Sequence, residues 1–236
     1  MQHTFPSTAL ITGASRGLGR ALAEALAARG AELVLLARQA SALDAVVHGL
    51  RARGGRAHAI PADVATLDAS AVAARVAELV GPLDLLVHNA STLGPVPMPE
   101  LGELREDDLR EVFEVNVLGP QRLTHALLGP MRRAGRGLVL TISSDAAVHA
   151  YPGWGAYGAS KAALDHLSAV LAAELAGTGV RALAVDPGEM DTQMHRDALP
   201  DADPATLATP AAVARAMVGL LERLPEAPRV AVEAAR

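Results

Sequence analysis

From Ser7 onward, short apolar runs alternate with longer amphipathic ones, and this alternation limits the chain to very few folds. Ser7–Thr12, Glu32–Ala37, Ala57–Ile60, Leu83–His88, Leu138–Ser143, Val180–Val185 and Arg229–Val232 read as strands flanked by Gly or Pro. Between them, Gly17–Arg29, Ser41–Arg53, Leu67–Val80, Glu106–Arg133, Ala156–Ala176 and Ala211–Leu224 carry helical periodicity. A kink is expected at Pro120, which has no amide to donate. Strands that are apolar throughout need cover on both faces, and repeated strand–helix units make neighbouring strands parallel. The expected fold class is therefore α/β: a doubly wound parallel sheet, or Rossmann fold, of about seven strands with helices on both faces. Ligands in such a sheet bind at the carboxyl ends of the strands. No linker, repeat or low-complexity stretch intervenes, so one domain is expected over residues 1–236, with a substrate loop at about 188–209.

Charge and composition remove several function classes. The net charge is −5 with no clustered basic run, which argues against a nucleic-acid partner. Aromatic residues make up only 2%, too few for base-stacking platforms. Without cysteine there is no disulfide, thiolate metal site or cysteine nucleophile. The eight histidines lack metal-ligand spacing, so no metal site is expected. The opening residues lack a basic segment followed by an apolar run, and no stretch of 18 apolar residues occurs. A cytoplasmic protein without a membrane partner is the expectation.

Thr12-Gly13-Ala14-Ser15-Arg16-Gly17-Leu18-Gly19 follows the first strand and opens the first helix, the setting of a dinucleotide-binding turn. Gly13 permits the tight turn, while Gly17 and Gly19 allow close approach of a pyrophosphate and of the helix to the sheet. The helix N-terminus supplies oriented amides to the phosphates. Ser15, Arg16 and Leu18 complete this candidate cofactor set. The glycines could also serve the turn alone.

Cofactor choice is read at the end of the second strand. A carboxylate there would bind the ribose hydroxyls of NAD. This chain has Ala37 followed by Arg38, with Arg16 nearby in the turn. Two guanidiniums and no acid suit a 2′-phosphate, so NADP(H) is favoured over NAD(H) unless both arginines are merely solvated. Asp63 and Val64, after the third strand, are placed to meet an adenine edge, or Asp63 is the N-cap of the next helix.

Tyr157 and Lys161 are four residues apart and share one helix face. A free phenol has a pKa of about 10. A nearby ammonium favours the phenolate and draws that value toward the working range of an acid–base catalyst. Ser144 lies at the end of the fifth strand and competes with its neighbour Ser143 for a role beside the tyrosine.

These residues together resemble the short-chain dehydrogenase/reductase family in its compact form. Thr-Gly-x-x-x-Gly-x-Gly at Thr12 has that family's spacing, and His88-Asn89-Ala90-Ser91 corresponds to its Asn-Asn-Ala-Gly segment. Asn116, Ser144, Tyr157 and Lys161 fall at its catalytic positions, and Pro187, Gly188 and Thr192 match the stretch flanking the nicotinamide. The resemblance implies cofactor contacts at Asn89, Ala90, Tyr157, Lys161, Pro187, Gly188 and Thr192. It implies that Lys161 binds the ribose and that Asn116 holds a water linking Lys161 to solvent. A homodimer or homotetramer paired through the helix of Tyr157 is also implied. The segments Tyr151–Tyr157 and Pro187–Thr192 are similar to sepiapterin reductase and bacterial benzil reductase.

The expected function is hydride transfer between NADP(H) and a ketone or secondary alcohol, with Tyr157 as acid/base beside Ser144 and Lys161. A non-catalytic NADPH-binding regulator is the alternative. The substrate pocket is expected from Leu93–Met98, Asp145–Trp154 and Met190–Leu199, with His195 and Asp191 as further candidates to touch substrate.

Overall fold

The structure is a computed structural model that describes residues 5–232. Seven strands form one sheet: β1 (Thr8–Thr12), β2 (Glu32–Ala37), β3 (Arg56–Pro61), β4 (Leu85–His88), β5 (Gly137–Ile142), β6 (Val180–Asp186) and β7 (Arg229–Ala231). Their spatial order is β3-β2-β1-β4-β5-β6-β7, and every pair is parallel. This is the doubly wound arrangement, with the order reversing between β1 and β4.

Alternate strand residues feed two cores. Ile11, Leu35, Val87 and Leu140 pack with α1 (Gly17–Ala28), α2 (Ala40–Ala52) and α8 (Pro210–Glu222) on one face. Leu10, Leu36, Leu86 and Val139 pack with α3 (Ala69–Val80) and α5 (Gly119–Ala134) on the other. Each wholly buried leucine, such as Leu22 or Leu123, contributes about 1.5–3 kcal/mol. The second face is completed by α4 (Glu106–Phe113) and α6 (Gly155–Glu174). No helix among the described residues is long and apolar enough to cross a membrane.

The long helix expected over Glu106–Arg133 is three pieces. Between α4 and α5 lies a π-helical turn, Glu114–Leu118. The distortion therefore precedes Pro120 instead of falling on it. The reason is that a proline withholds its amide from the carbonyl four residues back, and its ring presses on that carbonyl. Here that carbonyl belongs to Asn116, so the strain lands on the residue singled out from sequence. A second difference is α7 (Gln193–Ala198), a short helix in a stretch that carried no helical signal. Thr192 starts it by accepting from the His195 amide at 3.2 Å.

Candidate active site

At the carboxyl edge of the sheet, where β1 and β4 diverge, a cleft of about 1010 Å³ opens between the first turn and α7. Its floor is built by Asn89. The side-chain amide of Asn89 donates to Thr12 O at 2.8 Å and to Gly13 O at 3.3 Å. Thr12 Oγ1 in turn accepts from the main-chain amides of Asn89 and Ala90, each at 3.0 Å. These bonds lock the turn after β1 against the end of β4. Gly13 has φ +67°, and a Cβ there would lie 2.8 Å from Asn89 Nδ2. At Gly19 a Cβ would run into Gly13 O and Asn89 Nδ2, so only glycine lets α1 start this close to the sheet. Asn89 is thus a builder of the turn, and Ser15, Arg16, Gly17, Leu18, Asn89 and Ala90 all line the cleft.

Farther along the cleft, Arg16 and Arg38 are exposed, and neither is held by an ion pair among the described residues. Arg20, by contrast, is paired with Glu24 at 3.2 Å. Asp63 and Val64 line the same end. The N-cap reading of Asp63 is corrected by the structure: Asp68 caps α3, accepting from Ser70 and Ala71 at 2.9 and 3.1 Å. Asp63 closes a tight turn of its own, accepting from the Ala65 amide at 3.0 Å.

At the other end the cleft reaches Ser144, Tyr157 and Lys161. Tyr157 and Lys161 sit in the first two turns of α6 and are 8% and 3% exposed. Ser144 lies close enough to the Tyr157 phenol to favour its ionised form. Ser144 Oγ donates to Asp145 Oδ1 at 3.0 Å and accepts from the Ala146 amide at 3.2 Å. Ser143 points elsewhere, its hydroxyl donating to Asp165 at 2.7 Å. Lys161 Nζ donates to Ile142 O at 2.8 Å and lies 5.4 Å from the centre of the Tyr157 ring. Asn116 is 1% exposed, and its side chain is saturated. Oδ1 accepts from Ser91 Oγ and the Thr92 amide at 3.1 and 2.8 Å, while Nδ2 donates to Thr92 O and Ser160 Oγ, both at 2.9 Å. Any water on Asn116 therefore belongs to its main-chain carbonyl.

Residues 7–203 match the short chain dehydrogenase family. The chain belongs to that family. A short chain dehydrogenase of Pseudocercospora fijiensis is 38% identical over 190 residues, covering 79% of this chain and 60% of the fungal protein. The chain thus spans under two thirds of that relative. Among solved structures, a short chain dehydrogenase from Pseudomonas syringae superposes with a TM-score of 0.90 at 33% identity, over 98% of this chain and 96% of its own. One from Shigella flexneri, complexed with NADP, gives 0.86 at 30% identity over 94% and 93%. The short-chain dehydrogenase described here is accordingly an oxidoreductase with a Rossmann-type sheet.

In this dehydrogenase the electrostatics depart from the expectation at Tyr157. Burial pushes the phenol above its usual range, Ser144 opposes that push, and Asp145 and Asp186 add to it. The Lys161 ammonium, 5.4 Å from the centre of the Tyr157 ring, is itself disfavoured by burial. Burial pulls Lys161 down to about 8, partly offset by Asp165 and Asp186.

Beyond Tyr157 the cleft is walled by Leu93, Tyr151, Trp154, Met190, Met194 and His195. Trp154 meets Tyr157 edge-on at 5.7 Å and Tyr151 at 6.0 Å. Pro187, Gly188 and Thr192 line the side opposite the glycine turn, and a Cβ on Gly17 would come 3.6 Å from Thr192 Cγ2. Asp191 also borders this end, but it is paired with Arg196. Asp145 was expected only as one end of the pocket segment Asp145–Trp154, and its other oxygen accepts from Tyr151 Oη at 2.8 Å; sequence reasoning gave no role to Asp165 or Arg229. Asp165 had a local signal: it lies one turn beyond Lys161 on the same helix face. Arg229 had none, because its partners come from distant segments.

Proposed function

We propose that this dehydrogenase is an NADP(H)-dependent carbonyl reductase acting on a ketone or the corresponding secondary alcohol. One observation carries the reading: a single cleft joins the glycine turn and the two unpaired guanidiniums to the Ser144–Tyr157–Lys161 cluster. The residues fit a dinucleotide phosphate. The α1 N-terminus and its glycines suit the pyrophosphate, and Arg16 and Arg38 offer forked donors to a 2′-phosphate. Asp63 and Val64 would meet the adenine, while Asn89, Ala90, Pro187, Gly188 and Thr192 would border the nicotinamide half. The relative from Shigella flexneri, solved with NADP, supports this choice.

When bound, the nicotinamide supplies the hydride that the carbonyl carbon accepts. Tyr157 gives its proton to the carbonyl oxygen, and Ser144 turns its hydroxyl from Asp145 to the same oxygen, fixing its direction. Lys161 holds the ribose hydroxyls and favours the phenolate left behind. A water on the Asn116 carbonyl then passes a replacement proton inward. In the oxidation direction the same groups run in reverse, with Tyr157 as base.

Leu167 and Val170 on α6 are 39% and 42% exposed, which supports a homodimer or homotetramer paired through this helix.

The test is purified protein with NADPH and a ketone panel that includes benzil, 1-phenyl-1,2-propanedione and a pteridine diketone, with NADH in parallel. Consumption of NADPH by the wild type and its loss in Tyr157→Phe is the expected result. Tight NADPH binding with no turnover of any ketone would favour the regulatory alternative.

A further inference from the structure

Beneath the catalytic end of the cleft, one arginine from the last strand ties together the segments that carry the reactive groups. Arg229 Nε donates to Asp165 Oδ2 at 2.7 Å. Its Nη2 donates to Asp186 Oδ2 at 3.2 Å and to the main-chain carbonyl of Ser144 at 3.1 Å. Ser143 Oγ shares Asp165 Oδ2, and Asp186 Oδ1 accepts from the Gly188 amide at 3.0 Å. The three charged side chains are only 29%, 12% and 11% exposed. A single guanidinium thus links β7 to the end of β5, to α6 one turn past Lys161, and to the end of β6.

The charge arithmetic is as specific as the geometry. Asp165 and Asp186 both act on Lys161, whose only hydrogen bond among the described residues goes to Ile142 O. Asp145 and Asp186 act on Tyr157. Arg229 offsets two of these three carboxylates. Without it, two mostly buried acids would face the lysine and the phenol uncompensated, and the Ser144 carbonyl would lose its anchor.

We propose that Arg229 is a positioning residue of this dehydrogenase: it fixes the Ser144 main chain and neutralises Asp165 and Asp186, and so sets the field in which Lys161 and Tyr157 work. The catalytic part of this proposal rests on the reductase reading, whereas the electrostatic part does not.

Lys161 is the single lysine in the sequence, so lysine-selective isotope labelling and NMR follow its titration alone. In the wild type the midpoint is expected at about 8. Arg229→Gln raises it by about one unit, Asp165→Asn lowers it, and Arg229→Gln/Asp165→Asn returns it toward the wild-type value. In parallel, Arg229→Gln lowers kcat by roughly tenfold or more while leaving the NADPH dissociation constant within about threefold, since Arg229 itself does not line the cleft and reaches it only through Ser144 and Asp186. A midpoint that stays put in Arg229→Gln, or a double variant as shifted as the single one, would overturn the proposal. Should Arg229→Gln fail to fold, Asp165→Asn decides, and an unmoved or raised midpoint there rejects it. The titration needs no substrate. A shifted midpoint in a protein that turns over no ketone would reject the reductase reading and leave the electrostatic role standing.

Discussion

Asn116 donates to Ser160 Oγ at 2.9 Å, and Ser160 Oγ donates onward to the Tyr157 carbonyl at 2.7 Å, so the π-helical turn is stitched to the first turns of α6. The same asparagine holds the Ser91–Thr92 segment through Oδ1. Replacing it leaves several buried polar groups without partners, each costing about 1–3 kcal/mol. Asn116→Ala should therefore lower stability by roughly 2–3 kcal/mol and Tm by about 5–10 °C, read by thermal unfolding. An unchanged Tm would show that water readily replaces the amide.

Tyr157 packs edge-on against Trp154, and phenylalanine preserves that contact. Tyr157→Phe is expected to cut kcat by about 10²–10⁴-fold with little change in NADPH binding. Steady-state rates together with cofactor titration by fluorescence test this, and a loss below tenfold would remove Tyr157 as the acid.

Arg16 and Arg38 have no competing acidic partner among the described residues, so their forks are available to an anion. A hydrogen bond to a charged group is worth about 1.5–3 kcal/mol. Arg38→Ala or Arg16→Ala should therefore weaken NADPH binding by roughly 10–100-fold and leave NADH binding nearly unchanged. Parallel calorimetric titrations with both dinucleotides measure the difference, and equal weakening of the two would contradict a 2′-phosphate site.

His88 stands where the family segment has asparagine. It is buried, with Nε2 2.8 Å from Thr124 Oγ1, and burial pulls its pKa down to about 3. The unfolded chain therefore binds more protons between pH 6.5 and about 3. The neutral imidazole's contribution is whole above pH 6.5 and is lost as the pH falls through that window. At pH 5 the loss is about 2 kcal/mol, which His88→Asn should not show. Urea unfolding of both proteins at pH 7 and pH 5 checks this. Parallel losses would assign the acid sensitivity to other groups.

The alternation of short apolar and longer amphipathic segments foretold the parallel sheet, because period and run length are local properties. Strand ends moved by a few residues, as at β3 and β4. The long helix was visible, but the kink expected at Pro120 lies earlier, as a π-helical turn over Glu114–Leu118, since the effect of a proline falls on the carbonyl it starves. Helix α7 escaped notice because six residues carry too little periodicity and its start depends on the Thr192 cap.

The glycine turn, the Tyr157–Lys161 pair and Ser144 were legible because backbone freedom and helical spacing reside in neighbouring residues. Sequence also supplied the family, since several ordered motifs recur at its spacings. Only the tertiary structure decided that Ser143 turns away to Asp165, and that the Asn116 side chain is spent on architecture. It alone decided that burial lifts the Tyr157 phenol above the range that a neighbouring lysine suggested. It also brought Arg229 to Asp165 and Asp186, which lie 64 and 43 residues away. Hydrogen-bond partners and burial depend on which distant segments the sheet brings together, and no local pattern encodes them.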